Sequence, residues 1–328
     1  MQTAICALTL LSGVIGAGFA SGREIVRFFS IHGYAGAAAV VCASCALVFF
    51  FLRLCAKLAR EDSSSAQMLC RVRFGARVGG VCAALFFLLF CVTAGAMLAA
   101  CAEIAALVLP VRHAYALGMA VSLLLALALS RRGARGLALS GAALTLLLPV
   151  LLVRLLLLDR GEACFLPAMT PDLPVRAAAD GVSYAALNAA MLLGAAPALL
   201  EMDARSRRRG VLLFGALFAL LLSLGCAVCL RHAPTALSHP MPFLALSRRL
   251  GAGGYLLIAA CLFAAALSTL CAMLAGMMGM LPFPGALRAA VSGMFALAFA
   301  RLGFGALVQS AYPVLGAVCA GLLILLCV

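Results

Sequence analysis

The chain has 328 residues, of which 66% are hydrophobic and only 10% charged, and its mean hydropathy is +1.21. Soluble globular chains run nearer half apolar and a quarter charged, so a water-soluble domain is excluded and the bilayer must act as the solvent. The formal net charge of +14 does not point to nucleic acid, because the arginines are scattered between apolar runs and no aromatic-plus-basic patch gathers them.

A helix crossing about 30 Å of hydrocarbon needs about 20 apolar residues, and that ruler predicts about ten spans. The first covers about 3–30 and carries a Gly-rich interruption. Its opening, MQTAICALTLLSGVIGAGFASG, lacks the basic stretch that starts a secretory signal and leads into more membrane segment, so it reads as a span. The next four cover about 34–58, 79–109, 113–130 and 137–157. A polar stretch, LDRGEACFLPAMTPDLPVRAAADG, then interrupts the apolar pattern. Five more follow at about 181–200, 210–230, 252–280, 285–301 and 305–327. The expected organisation is a five-helix repeat over 1–158, an extracytoplasmic connector over 159–180 and a second repeat over 181–328, integrated into one transmembrane domain.

Charge sets the orientation, because Arg and Lys stay on the cytoplasmic side of inserted helices. With a cytoplasmic N-terminus, the inner loops and flanks hold 14 of the 24 basic residues, with the short RRGAR and RSRRR loops deciding the matter. Both termini are therefore expected in the cytoplasm of a bacterial cell, the protein lying in the inner membrane. The single lysine, Lys57, against 23 arginines fits a GC-rich bacterial genome.

The two sets of five resemble each other: each opens with a Gly-interrupted span (Gly16 and Gly18 against Gly194) and each has a long third member. Five is odd, so the second copy must enter the membrane the other way up. Paired interrupted helices in an inverted repeat are the best sequence pointer to a secondary-transporter site. The 15 cysteines lie mostly in apolar runs, where cysteine behaves as a small hydrophobe. Cys42/Cys45 and Cys226/Cys229 lack the second pair or histidines a zinc site needs, so neither metal nor a required disulfide is expected.

The sharpest local signal is Ser12-Gly13-Val14-Ile15-Gly16-Ala17-Gly18-Phe19-Ala20-Ser21-Gly22. Each glycine costs about 1 kcal/mol of helix stability relative to alanine. Two readings are open: close helix packing through small residues, or an unwound segment lining a cavity, with carbonyls free for a cation and amides free for an anionic group. Arg23 and Glu24 directly after the break favour the second. The glycine spacing is not a dinucleotide fingerprint, and there is no βαβ context for one. The four histidines make no H-E-x-x-H, and neither G-x-S-x-G nor a P-loop occurs, so an enzyme is not expected.

GVIGAGFASGREIVRFF resembles the opening of the YkvI-type bacterial membrane proteins, distant relatives of the amino acid–polyamine–organocation transporters of LeuT-like fold. Tyr184-x-x-x-Asn188, His239-Pro240-Met241-Pro242 and Tyr312-Pro313-Val314-Leu315-Gly316 extend the resemblance over nearly the whole chain. It implies an all-α polytopic fold of about ten transmembrane helices in a five-plus-five inverted repeat, with broken helices 1 and 6. In sodium-coupled members of that fold one ion lies between carbonyls of the broken first helix and hydroxyls of the eighth. The matching positions are the carbonyls of Ser12 and Ile15, with Ala265, Ser268 and Thr269. Against this, Ser268 and Thr269 could bond back to the preceding turn, as is common in membrane helices. A second sodium site of some relatives uses an amide side chain where Phe19 stands here.

A substrate site would take in Gly16, Ala17, Gly18 and Ala20 of the break with Tyr184 and Asn188, which are four apart and share a helix face. Asn188 at membrane depth needs a partner, either substrate or another helix. Arg23 and Glu24 are candidates for coupling or gating. Glu24 reads either as a proton-coupling carboxylate or as one half of an ion pair with Arg23 or Arg27 at the outer vestibule. Glu103, Arg154 and Arg301, near span ends, read as snorkelling or paired. The expectation is a secondary active transporter of a small, amino-acid-like solute, coupled to Na+ or, failing that, to H+, with no other cofactor. The alternatives are a non-transporting sensor on the same scaffold and, further off, a membrane enzyme using loop acids such as Asp159, Glu162 or Asp172. The oligomeric state is not legible.

Overall fold

The computed structural model describes residues 2–60, 66–130, 147–157, 170–193, 199–200 and 202–327. Among the described residues, each expected span falls largely on helix. In hydrocarbon a backbone must satisfy its own hydrogen bonds, and an apolar run does so by coiling. In chain order the elements are α1 (Gln2–Val14), α2 (Ala17–Ala20), α3 (Arg23–Phe28), α4 (Gly36–Arg60), α5 (Ala66–Val108), α6 (Ala114–Ser130) and α7 (Leu147–Leu157). After the connector come α8 (Leu173–Leu192), α9 (Ala204–Arg231), α10 (Ala233–Ser238), α11 (Pro242–Ser247), α12 (Gly251–Met280), α13 (Gly285–Ala300) and α14 (Tyr312–Cys327).

Among the described residues five helical stretches are long and apolar enough to cross a membrane: Ser30–Arg60, Leu69–Val108, Ala204–Arg231, Pro242–Met280 and Phe304–Cys327. Shorter apolar helices, Gln2–Val14, Ala114–Ser130, Leu147–Leu157 and Gly285–Ala300, accompany them. The chain is thus an all-helical, multi-pass membrane protein.

The boundaries depart from the apolar ruler in three places. α8 begins at Leu173 rather than near 181, because Pro174 is welcome in a first turn and the helix runs on through Arg176 and Asp180 beyond the apolar stretch. α5 starts at Ala66 rather than near 79. Gly75 turns the chain with φ 78° and ψ 175°, and a Cβ on Gly79 would lie 2.7 Å from the Cα of Arg71, so the residues before the turn fold back on those after it. The short helices α10 and α11, between α9 and α12, were too brief for the ruler to register. The expected second interruption at Gly194 lies outside the described residues, as do the RRGAR loop and the loop acids Asp159 and Glu162.

The stretch expected as the first span is three helical pieces. α1 ends at Val14; Gly16 is extended (φ −88°, ψ −176°) ahead of α2; Gly22 takes a left-handed conformation (φ 84°) ahead of α3. Around it, α1 packs on α9 and α4 on α8; α5 lies against α12, α6 and α13; α12 lies against α6 and α13; and α4 also touches α9. The helices approach closely where glycine removes a side chain. A Cβ on Gly181 would sit 2.5 Å from the Ala39 carbonyl between α8 and α4, and one on Gly210 2.5 Å from the Cys6 Cβ between α9 and α1. Small residues at crossings are how helices gain contact in lipid, where apolar burial between them gives little drive.

Candidate functional site: a broken helix with a buried carboxylate

At the end of α1 the Gly16 N–H donates to the Val14 carbonyl at 2.8 Å, not to Ser12, its partner in a continuous α-helix. Among the described residues the Ser12 carbonyl is therefore left without its helical donor. The Ser12 hydroxyl itself turns back to the Thr9 carbonyl (2.9 Å). Across from the break stands α12: a Cβ on Gly16 would lie 3.1 Å from Thr269 Oγ1 and 3.7 Å from Met97 Sδ of α5. Ile15, Ala17 and Ala265 are buried nearby. Ser44, Ser223, Ser238 and Ser310 each bond back to the carbonyl four residues earlier. Among the described hydrogen bonds Ser268 and Thr269 make no such bond, so their hydroxyls are not committed to their own helix.

Past α2 the chain brings Glu24 back over Gly18. A Cβ on Gly18 would fall 1.8 Å from Glu24 Oε1, so only glycine leaves room for the carboxyl there. The other oxygen, Oε2, accepts the Tyr184 hydroxyl of α8 at 2.8 Å, a fully buried bond. The ring of Tyr184 is held by Phe28 and Phe29 (centroids 5.0 and 5.2 Å) and stacks on Phe218 at 6.3 Å. One turn along, Asn188 donates through Nδ2 to the Tyr184 carbonyl at 2.9 Å, and its Oδ1 is buried without a partner. The Tyr312 hydroxyl, at the start of α14 and near Glu24 and Thr93, is likewise buried.

The arginines beside the break face elsewhere, so Glu24 is not one half of an ion pair with either of them. Arg23 donates to the His239 carbonyl at 3.2 Å and lies near Glu103, which accepts the Phe304 N–H. Arg27 pairs with Asp180 of α8 at 3.2 Å and also reaches the Gln309 carbonyl at 3.2 Å. His32 Nε2 contacts the same Asp180 oxygen at 3.0 Å. The α10–α11 segment closes over the break: the Phe243 N–H donates to the Ser21 carbonyl at 2.9 Å. At its centre, burial and then Arg248 lower the pKa of the His239 ring from its ordinary value, which suits Nδ1 to accept the Met241 N–H at 3.2 Å.

The structure thus brings Gly18, Glu24 and Tyr184 into one contact with Asn188 a turn away, and Gly16 opposite Thr269. Ala20 faces a different place, an apolar groove with Phe243, Leu148, Leu152 and Ile258. Asp180 was missed from sequence. It lies four residues before Tyr184 and eight before Asn188, so continuing the same stripe upstream would have found it.

Fold and site together define a multi-pass helical membrane protein whose N-terminal apolar stretch is broken beside a buried carboxylate. No protein-family model matches the chain, and no curated protein matches it.

Proposed function

We propose that this chain is a secondary active transporter that carries a small solute across a bacterial inner membrane by alternating access, coupled to sodium. The observation that carries the reading is the break at Ile15–Gly16, deep in an apolar span and opposite the uncommitted Thr269 hydroxyl. Irregular backbone at membrane depth needs protein or a cavity around it. Oxygen ligands from Ser12, Ile15, Ala265, Ser268 and Thr269 suit a hard monovalent cation. Tyr184, Asn188 and the Gly16–Ala20 segment would hold the solute between the first span and α8.

The packing supports an inverted repeat of LeuT-like form. Exchanging each span with the one five places on turns the α1–α9 contact into α8–α4, α5–α6 into α12–α13 and α5–α13 into α12–α6, all of which occur. The α5–α12 and α4–α9 contacts map onto themselves. Membership of the YkvI-type family fits this pattern, and the basic RSRRR loop favours both termini in the cytoplasm.

The test is flux. Purified protein in proteoliposomes should take up labelled alanine or propylamine when an inward sodium gradient is imposed, and Thr269→Val should remove the sodium dependence. Binding without flux under any gradient would replace the carrier with a sensor on the same scaffold. A second reading, proton coupling through Glu24, is favoured by the buried Glu24–Tyr184 bond. It predicts uptake driven by a pH gradient in potassium and abolished in Glu24→Gln.

A further inference from the structure

Cys70 and Cys82 are twelve positions apart in α5 and carry no metal-binding or redox spacing in the sequence. The turn at Gly75 makes them neighbours. The residues on either side of it run back along each other so closely that a Cβ on Gly79 would lie 2.7 Å from the Arg71 Cα and 3.0 Å from the Arg71 nitrogen. Cys70 adjoins Arg71, and Cys82 lies one helical turn beyond Gly79 on the same face. The two thiols hydrogen-bond each other. By contrast Cys226 and Cys229, the closely spaced pair of α9, both turn to Ser30. A thiol is a weak donor and a weak acceptor, so this bond does little as an anchor. Two sulfurs in contact across a backbone fold-back are instead the starting arrangement a disulfide needs. Both are free thiols, 0% and 3% exposed, and the cover over them is slight. Val72, Val78 and Val81 around the turn are all at least half exposed, so little apolar contact holds it shut and local opening costs little. Arg71, Arg73 and Arg77 are exposed there too. Three cations so close together stay out of hydrocarbon, which sets this end of α5 in water, within reach of a soluble oxidant.

We propose that Cys70 and Cys82 form a reversible disulfide, closed by hydrogen peroxide and reopened by a dithiol. One thiolate attacks a peroxide oxygen; the O–O bond breaks, a sulfenic acid forms, and the departing hydroxide takes the thiol proton and leaves as water. The second thiolate attacks the sulfenic sulfur; the S–S bond forms, the S–O bond breaks and a second water leaves. Two electrons pass from the sulfur pair to the peroxide, and the two thiol protons end in the two waters. A dithiol reverses the closure by exchange and becomes a disulfide itself. The closed form pins the stretch before Gly75 onto the body of α5. This closure does not depend on what the protein carries.

The test is a thiol map of the full-length protein in nanodiscs before and after hydrogen peroxide, with free cysteines capped by N-ethylmaleimide on unfolding. Trypsin cuts after Arg71 and Arg77, so the bond joins two otherwise separate peptides until dithiothreitol parts them. Capping of Cys70 and Cys82 is expected to fall together by at least about fivefold, with the joined peptides appearing and dithiothreitol restoring both thiols. The Cys82 peptide also holds Cys91 and Cys101; Cys82→Ser, which should abolish the joined species, tells the three apart, and Cys70→Ser should abolish it as well. Both thiols still fully capped after peroxide overturns the proposal. So does Cys70 joined to another cysteine as often as to Cys82, or a loss of the thiols that dithiothreitol does not reverse. If a serine variant does not fold, fragmentation of the joined wild-type peptides decides.

Discussion

The Tyr184 hydroxyl donates to Glu24 Oε2 at 2.8 Å in the buried centre of the bundle, joining residues 160 positions apart in the chain. Tyr184→Phe removes that bond and keeps the ring. It should lower stability by about 1–3 kcal/mol in chemical unfolding of the detergent-solubilised protein. Tyr184→Leu also loses the contacts with Phe28 and Phe29, and should lose more. Equal midpoints for wild type and Tyr184→Phe would mean the bond contributes nothing.

Two glycines in apolar helices should respond oppositely to alanine. At Gly18 the new methyl would collide with Glu24 Oε1 and expel the carboxyl from its place, so Gly18→Ala should fall in stability and lose solute binding together. At Gly279, inside α12, nothing lies within 4 Å of the added Cβ. There Gly279→Ala should gain about 0.4–1 kcal/mol from the stiffer unfolded chain. Thermal unfolding of the pair settles it.

Gly22→Ala combines two costs. The residue sits at φ 84°, and its Cβ would come 3.1 Å from the Phe243 ring. The conformation alone costs about 1–2 kcal/mol in a residue with a Cβ. Because Phe243 belongs to α11, limited proteolysis should become faster within 233–247 before the rest of the protein is cut.

Sodium should raise the thermal midpoint in proportion to RT ln(1 + [Na+]/Kd), about 2.7 kcal/mol at 100 times Kd. Thr269→Val keeps the shape and removes the hydroxyl facing Gly16, so it should abolish that increment. Ser268→Ala, at a hydroxyl with no contact to Gly16 among those described, should diminish it less. A full sodium response in Thr269→Val would move the ion elsewhere.

Asp203 caps α9, accepting the Arg205 and Ser206 N–H groups at 3.0 and 2.9 Å. Hydrogen bonds from Ser206, then from Arg205, hold its carboxyl below the ordinary value of 3.8. The sign follows: the cap's contribution is complete above the unfolded value and fades as pH falls through the lower folded one. Asp203→Ala should therefore unfold earlier than wild type at pH 7, and the gap should narrow below about pH 4. Asp203→Asn, still an acceptor, should keep most of the stability with a flatter acid limb.

How much of this was legible depends on range. The glycines of 13–22 locate the break because their cost is local and no apolar helix tolerates so many without cause. The Tyr184–Asn188 face is legible because helical period alone puts the two together. The partner of Glu24 was not: its sequence neighbours Arg23 and Arg27 offer charge, and Arg27 instead finds Asp180, 153 positions away. Helix α8 began early because hydropathy measures where lipid is favoured, whereas a helix continues for as long as its backbone bonds do. α10 and α11, six residues each, are too short to stand out as apolar runs of their own.

The tie between the covering segment and the break has an evolutionary side. It is a bond between two main-chain groups, the Phe243 N–H and the Ser21 carbonyl, and so is indifferent to which side chains stand at 21 and 243. Mutational drift can recolour both positions and leave the latch intact. Proline at 243 is the one ordinary replacement that would delete the donor outright. The proline already present stops one residue short, at 242, where it stiffens the approach to the latch without severing it.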